Sequence, residues 1–241
     1  MIGHELRSGN YDKAVLCVGS TEYHGDHLPF GTDTLVAEHL ADAVVERVDG
    51  LLRLPALPFG MSRHYASFPI SITLSTETLM RVLRDMFDSL LAHGMKRLLI
   101  INGHDGNIAA IDSAAREFRV DHPEMKIAVL EAWWVTAGKL VPEGTFEVWD
   151  GLGHAGEGET SMMLAVAPEL VDMDRARGVV PDLPAHVELK WTFNELTPYG
   201  ATGDPTKATE MKGRLMRDAL VEQLVSFIKE MDERDWEITS R

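Results

Sequence analysis

The feature that most constrains the fold is an alternation of short, wholly apolar runs with longer stretches of helical periodicity. "AVLCV" (14–18), "KRLLIIN" (96–102) and "KIAVLEA" (126–132) read as strands buried on both faces, because a solvent-facing strand would alternate apolar with polar residues. Between the first two, Leu35, Val36, Leu40, Ala43, Val44 and Val48 recur at helical spacing over 34–48. Leu79, Val82, Leu83, Met86, Leu90 and Leu91 do the same on a helix that Thr76 would cap and Gly94 would close. A further helix is expected over 108–118. A weaker strand covers 51–57, where Pro55 argues for an edge or a strand end. With no two-residue hairpin signal, the order predicts an α/β fold whose parallel sheet is covered on both faces. Residues 178–206 are rich in turn formers and read as irregular, and Asp204 with Pro205 should open a last helix running to about residue 231.

The 241 residues contain no internal repeat, low-complexity tract or linker-like stretch, so one domain spanning 1–241 is expected. No apolar run approaches a membrane span, and no charged-then-apolar leader follows Met1; a cytoplasmic protein is expected. Lys and Arg number 23 against 38 Asp and Glu, a formal charge of -15 with no basic cluster. That balance argues against nucleic acid and anionic membrane as partners. The single cysteine, Cys17, sits within an apolar strand and reads as a small buried hydrophobe.

Chemistry concentrates in "GSTEYHGDHLPFGTDT" (19–34). Glu22 and His24 are two apart, so on an extended continuation of the first strand they share a side. Asp33 opens the following helix, and Gly25, Pro29 and Gly31 allow the loop to fold back and bring it within reach. His104 follows "LLIIN", so both groups lie past the carboxyl ends of parallel strands, where open α/β sheets place ligand crevices. Mixed imidazole and carboxylate donors suit Zn, Mn or Fe, and the lack of a thiolate favours a catalytic over a sealed structural site. Singly, each residue has a plainer role: solvated loop residue, helix cap or turn histidine.

A second group lies in "HAGEGETS" (154–161), where Glu159 reads as a metal ligand and His154 as a proton-transfer group, or Glu159 simply as a carboxylate favoured by a helix N-terminus. The overlapping "GLGHAG" matches a dinucleotide fingerprint at Gly151, Gly153 and Gly156, with Asp172 and Asp174 downstream, but no buried strand precedes it. There is no G-x-S-x-G elbow for Ser20 or Ser161 to serve as a nucleophile.

Together "GSTEYHGDHLPFGTDT", "NGHDGN", "HAGEGETSMMLA" and "GDPTKAT" resemble, in order, segments of the creatininase (creatinine amidohydrolase) family, over residues 19–207. The resemblance implies a three-layer α/β/α hydrolase with a mainly parallel central sheet, assembled as a homohexamer, with two divalent transition-metal ions per chain. It implies cleavage of a non-peptide C–N bond in a small cyclic or linear amide. By position, Asp33 would bridge the metals, Glu22 and His104 would complete one site, His24 would belong to the other, and His154 matches the catalytic histidine.

Two departures follow. A metal-binding glutamate of creatininase falls on Gly106 here, so Glu159 is the expected replacement ligand, with Asp105 as runner-up. The tryptophans over the creatininase substrate align loosely with Trp149 and with Trp133 or Trp134, and they pack a core or an interface on the plainer reading. Creatinine is one candidate substrate. A formamide cut by a deformylase of flavin or deazaflavin biosynthesis is another, and the family also has a branch that trims a modified peptide. A metal-stabilised scaffold without chemistry is the competing class.

Overall fold

The computed structural model describes residues 9, 11–184, 186–187 and 189–238. The N-terminal residues 1–8, on which the leader expectation falls, lie outside the described residues. Strands β1 (Lys13–Val18), β2 (Leu51–Arg53), β3 (Arg97–Asn102) and β4 (Lys126–Leu130) form one sheet in the order β2-β1-β3-β4. Every pairing is parallel, with Ala14 beside Leu98 and Cys17 beside Ile101 in the central register. The α-helices are α1 (Thr32–Val45), α2 (Thr76–Ala92), α3 (Ile108–Asp121), α4 (Trp133–Leu140), α5 (Glu157–Val166), α6 (Phe193–Leu196) and α7 (Glu210–Glu233), with short 3₁₀ turns between them.

The two-residue period of the central strands divides the interior into two cores. Val15, Cys17, Leu99 and Ile101 face the layer of α1, α4, α5 and α7, while Ala14, Leu16, Val18, Leu98 and Ile100 face α2 and α3. The fold is therefore a three-layer α/β/α sandwich. Leu16, Leu98, Ile100 and Ile101 are wholly buried, and each such side chain contributes about 1.5–3 kcal/mol.

Several boundaries differ from expectation for local reasons. The second strand stops at Arg53, before Pro55 removes a donor, although Leu57 still gives its N–H to Cys17 O (2.9 Å). β4 is an edge strand with Val129 36% exposed, so its apolar run does not signify burial on both faces. Ser75, not Thr76, caps α2 by accepting from Thr78 N (3.1 Å). Asp204 caps only a 3₁₀ turn, Pro205–Lys207, and α7 starts afresh at Glu210 with Thr209 as its cap. None of the described helices is long and apolar enough to cross a membrane.

Candidate metal centre

The crevice lies past the carboxyl ends of β1 and β3, as the parallel topology dictates. Two glycines let α1 settle there. A Cβ at Gly19 would fall 2.7 Å from Thr34 Cα, and one at Gly103 would fall 2.2 Å from Asp33 O. The loop after β1 folds back on itself, with Glu22 N donating to Phe30 O (3.0 Å). Asp33 thus sits inside the first turn of α1, but its oxygens turn to imidazoles and it caps nothing.

Five expected ligands converge. His104 Nδ1 lies 3.2 Å from both Glu22 Oε1 and Asp33 Oδ2. His24 Nε2 lies 3.0 Å from Asp33 Oδ1 and 3.9 Å from Glu159 Oε2. Their donor atoms make two overlapping sets, Glu22–Asp33–His104 and His24–Asp33–Glu159, each within 4.8 Å. Asp33 belongs to both. His154 joins a third set with Glu22 and His24, its Nδ1 3.6 Å from Glu22 Oε1.

Such a cluster suits cations better than hydrogen bonds alone. Glu22 Oε1 and Asp33 Oδ2 are buried without a hydrogen-bond partner, an arrangement that costs free energy unless something positive is held there. Burial disfavours charge on Glu22 and Asp33, yet the histidines outweigh it: His104 holds Glu22, and His24 holds Asp33, below the usual carboxylate range. Burial likewise opposes a charged His24, but Asp33 raises it to about 9. Burial raises Glu159 to about 7. Desolvation, with His24 nearby, drives His154 down to about 3, so it is neutral.

Neighbouring groups fix the candidate ligands. His24 Nδ1 meets Glu22 O (3.1 Å), Ser20 Oγ donates to Glu22 Oε2 (2.9 Å), and Ala155 N donates to Glu159 Oε2 (2.6 Å). On the far side of its ring, His104 Nε2 lies 3.1 Å from Met61 O and 3.2 Å from Ser62 Oγ. His154 Nε2 is 2.7 Å from Tyr23 O; the carbonyl can only accept, so Nε2 carries the proton and Nδ1 faces the carboxylates. Tyr65 and Phe193 pack on the His154 ring, with centroids at 4.5 and 4.9 Å.

Gly106 cannot carry a ligand in this loop: a Cβ there would lie 2.1 Å from Met61 O and 2.6 Å from His104 Nε2. Asp105, the runner-up ligand, joins none of the three sets and instead lines the adjacent cavity, of about 260 Å³. Trp134 and Trp149 line that cavity too, whereas Trp133 is buried in the core at 1% exposure. The "GLGHAG" glycines serve packing: Cβ atoms at Gly153 and Gly156 would fall 2.5 and 2.7 Å from Thr202 O. Ser20 and Ser161 are tied to Glu22 and to Glu157 O.

Sequence reasoning missed the supports. Asn102 Nδ2 donates to His104 O and Glu131 O (both 2.8 Å), and Asn107 Nδ2 to Gly19 O (3.0 Å), so the asparagines of "NGHDGN" brace both strand ends. Buried Glu157 accepts from Val148 N (3.0 Å) and Lys212 Nζ (2.6 Å), tying α5 to α7 and to the loop carrying Trp149. His27, also in the crowded loop, gives Nε2–H to Thr160 Oγ1 (2.9 Å), which donates to Ala155 O (3.2 Å). Trp191 lines the cavity from the irregular 178–206 stretch, where no periodicity marks it.

A family model described as creatinine amidohydrolase (Creatininase) matches residues 4–228. The chain is 33% identical to a creatinine amidohydrolase of Pseudomonas putida, over 90% of this chain and 88% of that protein. It is also 33% identical to a mycofactocin precursor peptide peptidase of Mycobacterium ulcerans (strain Agy99), over 89% and 83%. A creatininase variant of the Zn–Zn type superposes with a TM-score of 0.75 at 31% identity, covering 91% of this chain and 90% of that one. A creatininase structure with Mn gives 0.77 at 30% identity, covering 94% and 93%.

Proposed function

Since this chain belongs to the creatininase family of hydrolases, we propose that it is a dinuclear metal-dependent amidohydrolase acting on a non-peptide C–N bond of a small amide. The observation that carries the reading is the sharing of Asp33, whose two oxygens face two different ligand sets. Glu22, Asp33 and His104 would hold one cation, and His24, Asp33 and Glu159 the other, Glu159 standing in for the glutamate excluded at Gly106. The soft-to-borderline imidazoles with hard carboxylates suit Zn, Mn or Fe. Bound there, such cations supply Lewis acidity, lowering the pKa of water and polarising the amide carbonyl.

The protein's own share of the work falls to His154. Its neutral Nδ1 takes a proton from the attacking water and returns it to the leaving nitrogen. Tyr23 O fixes the tautomer and ring plane through Nε2, and the Tyr65 and Phe193 rings exclude water from one side of the transfer. The cavity of about 260 Å³ favours a compact amide such as creatinine or a related molecule. A formamide or the end of a short peptide is the alternative. The same reading takes the chain as one domain, with exposed Ile70 and Ile72 contributing to a homo-oligomer, a hexamer by family resemblance.

The test is hydrolysis of a panel of cyclic amides, formamides and short peptides by metal-loaded protein. Cleavage of a small amide, reduced on the order of 10²-fold in turnover by His154→Gln at unchanged metal content, is expected. Metal-loaded protein that cleaves nothing, or a His154→Gln variant with undiminished turnover, overturns the reading and favours a scaffold.

A further inference from the structure

The cavity beside the centre has one charged side chain that the proposed chemistry does not use. Asp105 follows His104 directly, joins none of the ligand sets, and its exposed carboxylate makes no hydrogen bond or ion pair among the described residues, the backbone carbonyl alone accepting from Ile108 N. It shares its wall with aromatic groups. Nearby, the His64 ring lies 6.0 Å from His104 and 5.6 Å from Trp191, centroid to centroid. Trp134 and Trp149 line the same space, so three of the five tryptophans of the chain converge there. None of the described residues lining the cavity is Lys or Arg, and Lys190, the chain neighbour of Trp191, is not among them.

We propose that Asp105 and Trp191 select a cationic group on the substrate, an ammonium, quaternary ammonium or amidinium carried beside the amide to be cleaved. Three ligand charges can be compared. An anionic tail set against Asp105 would meet a carboxylate with no Lys or Arg on the cavity wall to offset it, and cations held at the centre would draw such a tail to themselves and away from Asp105. A neutral tail would strip water from Asp105 and return nothing, a loss for any desolvated charge. A cation meets the carboxylate and a wall that carries three indoles, rings whose quadrupoles attract positive charge. The inference rests on the amidohydrolase reading and deepens it: Asp105 is a specificity residue for that site, distinct from the residues that would hold metal.

The experiment compares two probes of equal shape and different charge, choline and 3,3-dimethylbutan-1-ol, titrated into the metal-loaded full chain by calorimetry. Wild-type protein should bind choline at least about tenfold more tightly, equivalent to ~1.4 kcal/mol. Asp105→Asn should cut that ratio to about threefold or less while metal content stays the same, and Trp191→Leu should weaken choline more than the alcohol. Equal binding of the two probes by wild-type protein, or a ratio unmoved by Asp105→Asn, overturns the proposal. Metal content and amide hydrolysis are measured on the same preparation. A hydrolytic, metal-loaded protein indifferent to charge refutes the cation site alone, whereas absence of metal and hydrolysis refutes the reading beneath it.

Discussion

In the proposed centre, a single atom at Gly106 decides which residues are able to reach the cations. Because a Cβ at 106 would meet a backbone carbonyl, Met61 O, at 2.1 Å, restoring a glutamate there should not restore a ligand. Gly106→Glu is expected to push Met61 away from His104, to lower stability by about 1–3 kcal/mol as overpacking does, and to reduce bound metal; a variant that keeps both contradicts this. On the proposed reading the role falls on Glu159, whose carboxylate is already steered by Ala155 N. Glu159→Gln should lower metal content to about half that of wild type, read by plasma mass spectrometry, because only the His24 set loses a ligand; unchanged stoichiometry would place the second cation elsewhere.

At the scale of elements, the centre depends on how α1, α5 and α7 are pinned to the sheet and to each other. Lys212 of α7 reaches the wholly buried Glu157 of α5, and Glu157 also satisfies the N–H groups of Glu147 and Val148. Breaking a buried pair leaves an uncompensated charge, so Lys212→Met should destabilise by about 3–5 kcal/mol in denaturant unfolding; a loss below ~1 kcal/mol would mean that the pair is solvated. The strands and most helices were legible because burial on both faces writes itself as an apolar run and helical burial as a 3.6 period. Four of the candidate ligands could be read from sequence because "TEYHGDH", "GTDT" and "NGHDGN" concentrate donors just past strand ends. The pair Glu157–Lys212 was not, since a partner 55 residues away leaves no local pattern. Nor was Trp191, which lies in a stretch without periodicity, or the restart of α7 at Thr209, hidden behind the stronger Asp204–Pro205 signal.

For the whole molecule, the buried cluster couples folding to protons and, on the proposed reading, to cations. Asp33 raises His24 to about 9 against burial, and burial raises Glu159 to about 7; both lie above the ordinary values of 6.5 and 4.5. A raised folded value means that the folded chain binds the proton more tightly, so the stabilisation is full below the ordinary value and is lost as pH rises through the folded one. His154, at about 3, and His27, at about 4, act only below 6.5, and Cys17, at about 12, only at higher pH. Protein stripped with EDTA should therefore lose thermal stability between pH 6.5 and 9, and reloading with zinc should flatten that profile, because cations replace protons as the partners of the carboxylates. A stripped protein whose Tm holds or rises across that window contradicts the coupling. The central claim, two cations sharing Asp33, is tested most directly by anomalous scattering at the metal edge from crystals of metal-loaded protein. Two peaks, one on each side of the Asp33 carboxylate, with Glu22 and His104 around the first and His24 and Glu159 around the second, are the predicted result; a single peak, or a second one away from Asp33, would contradict it.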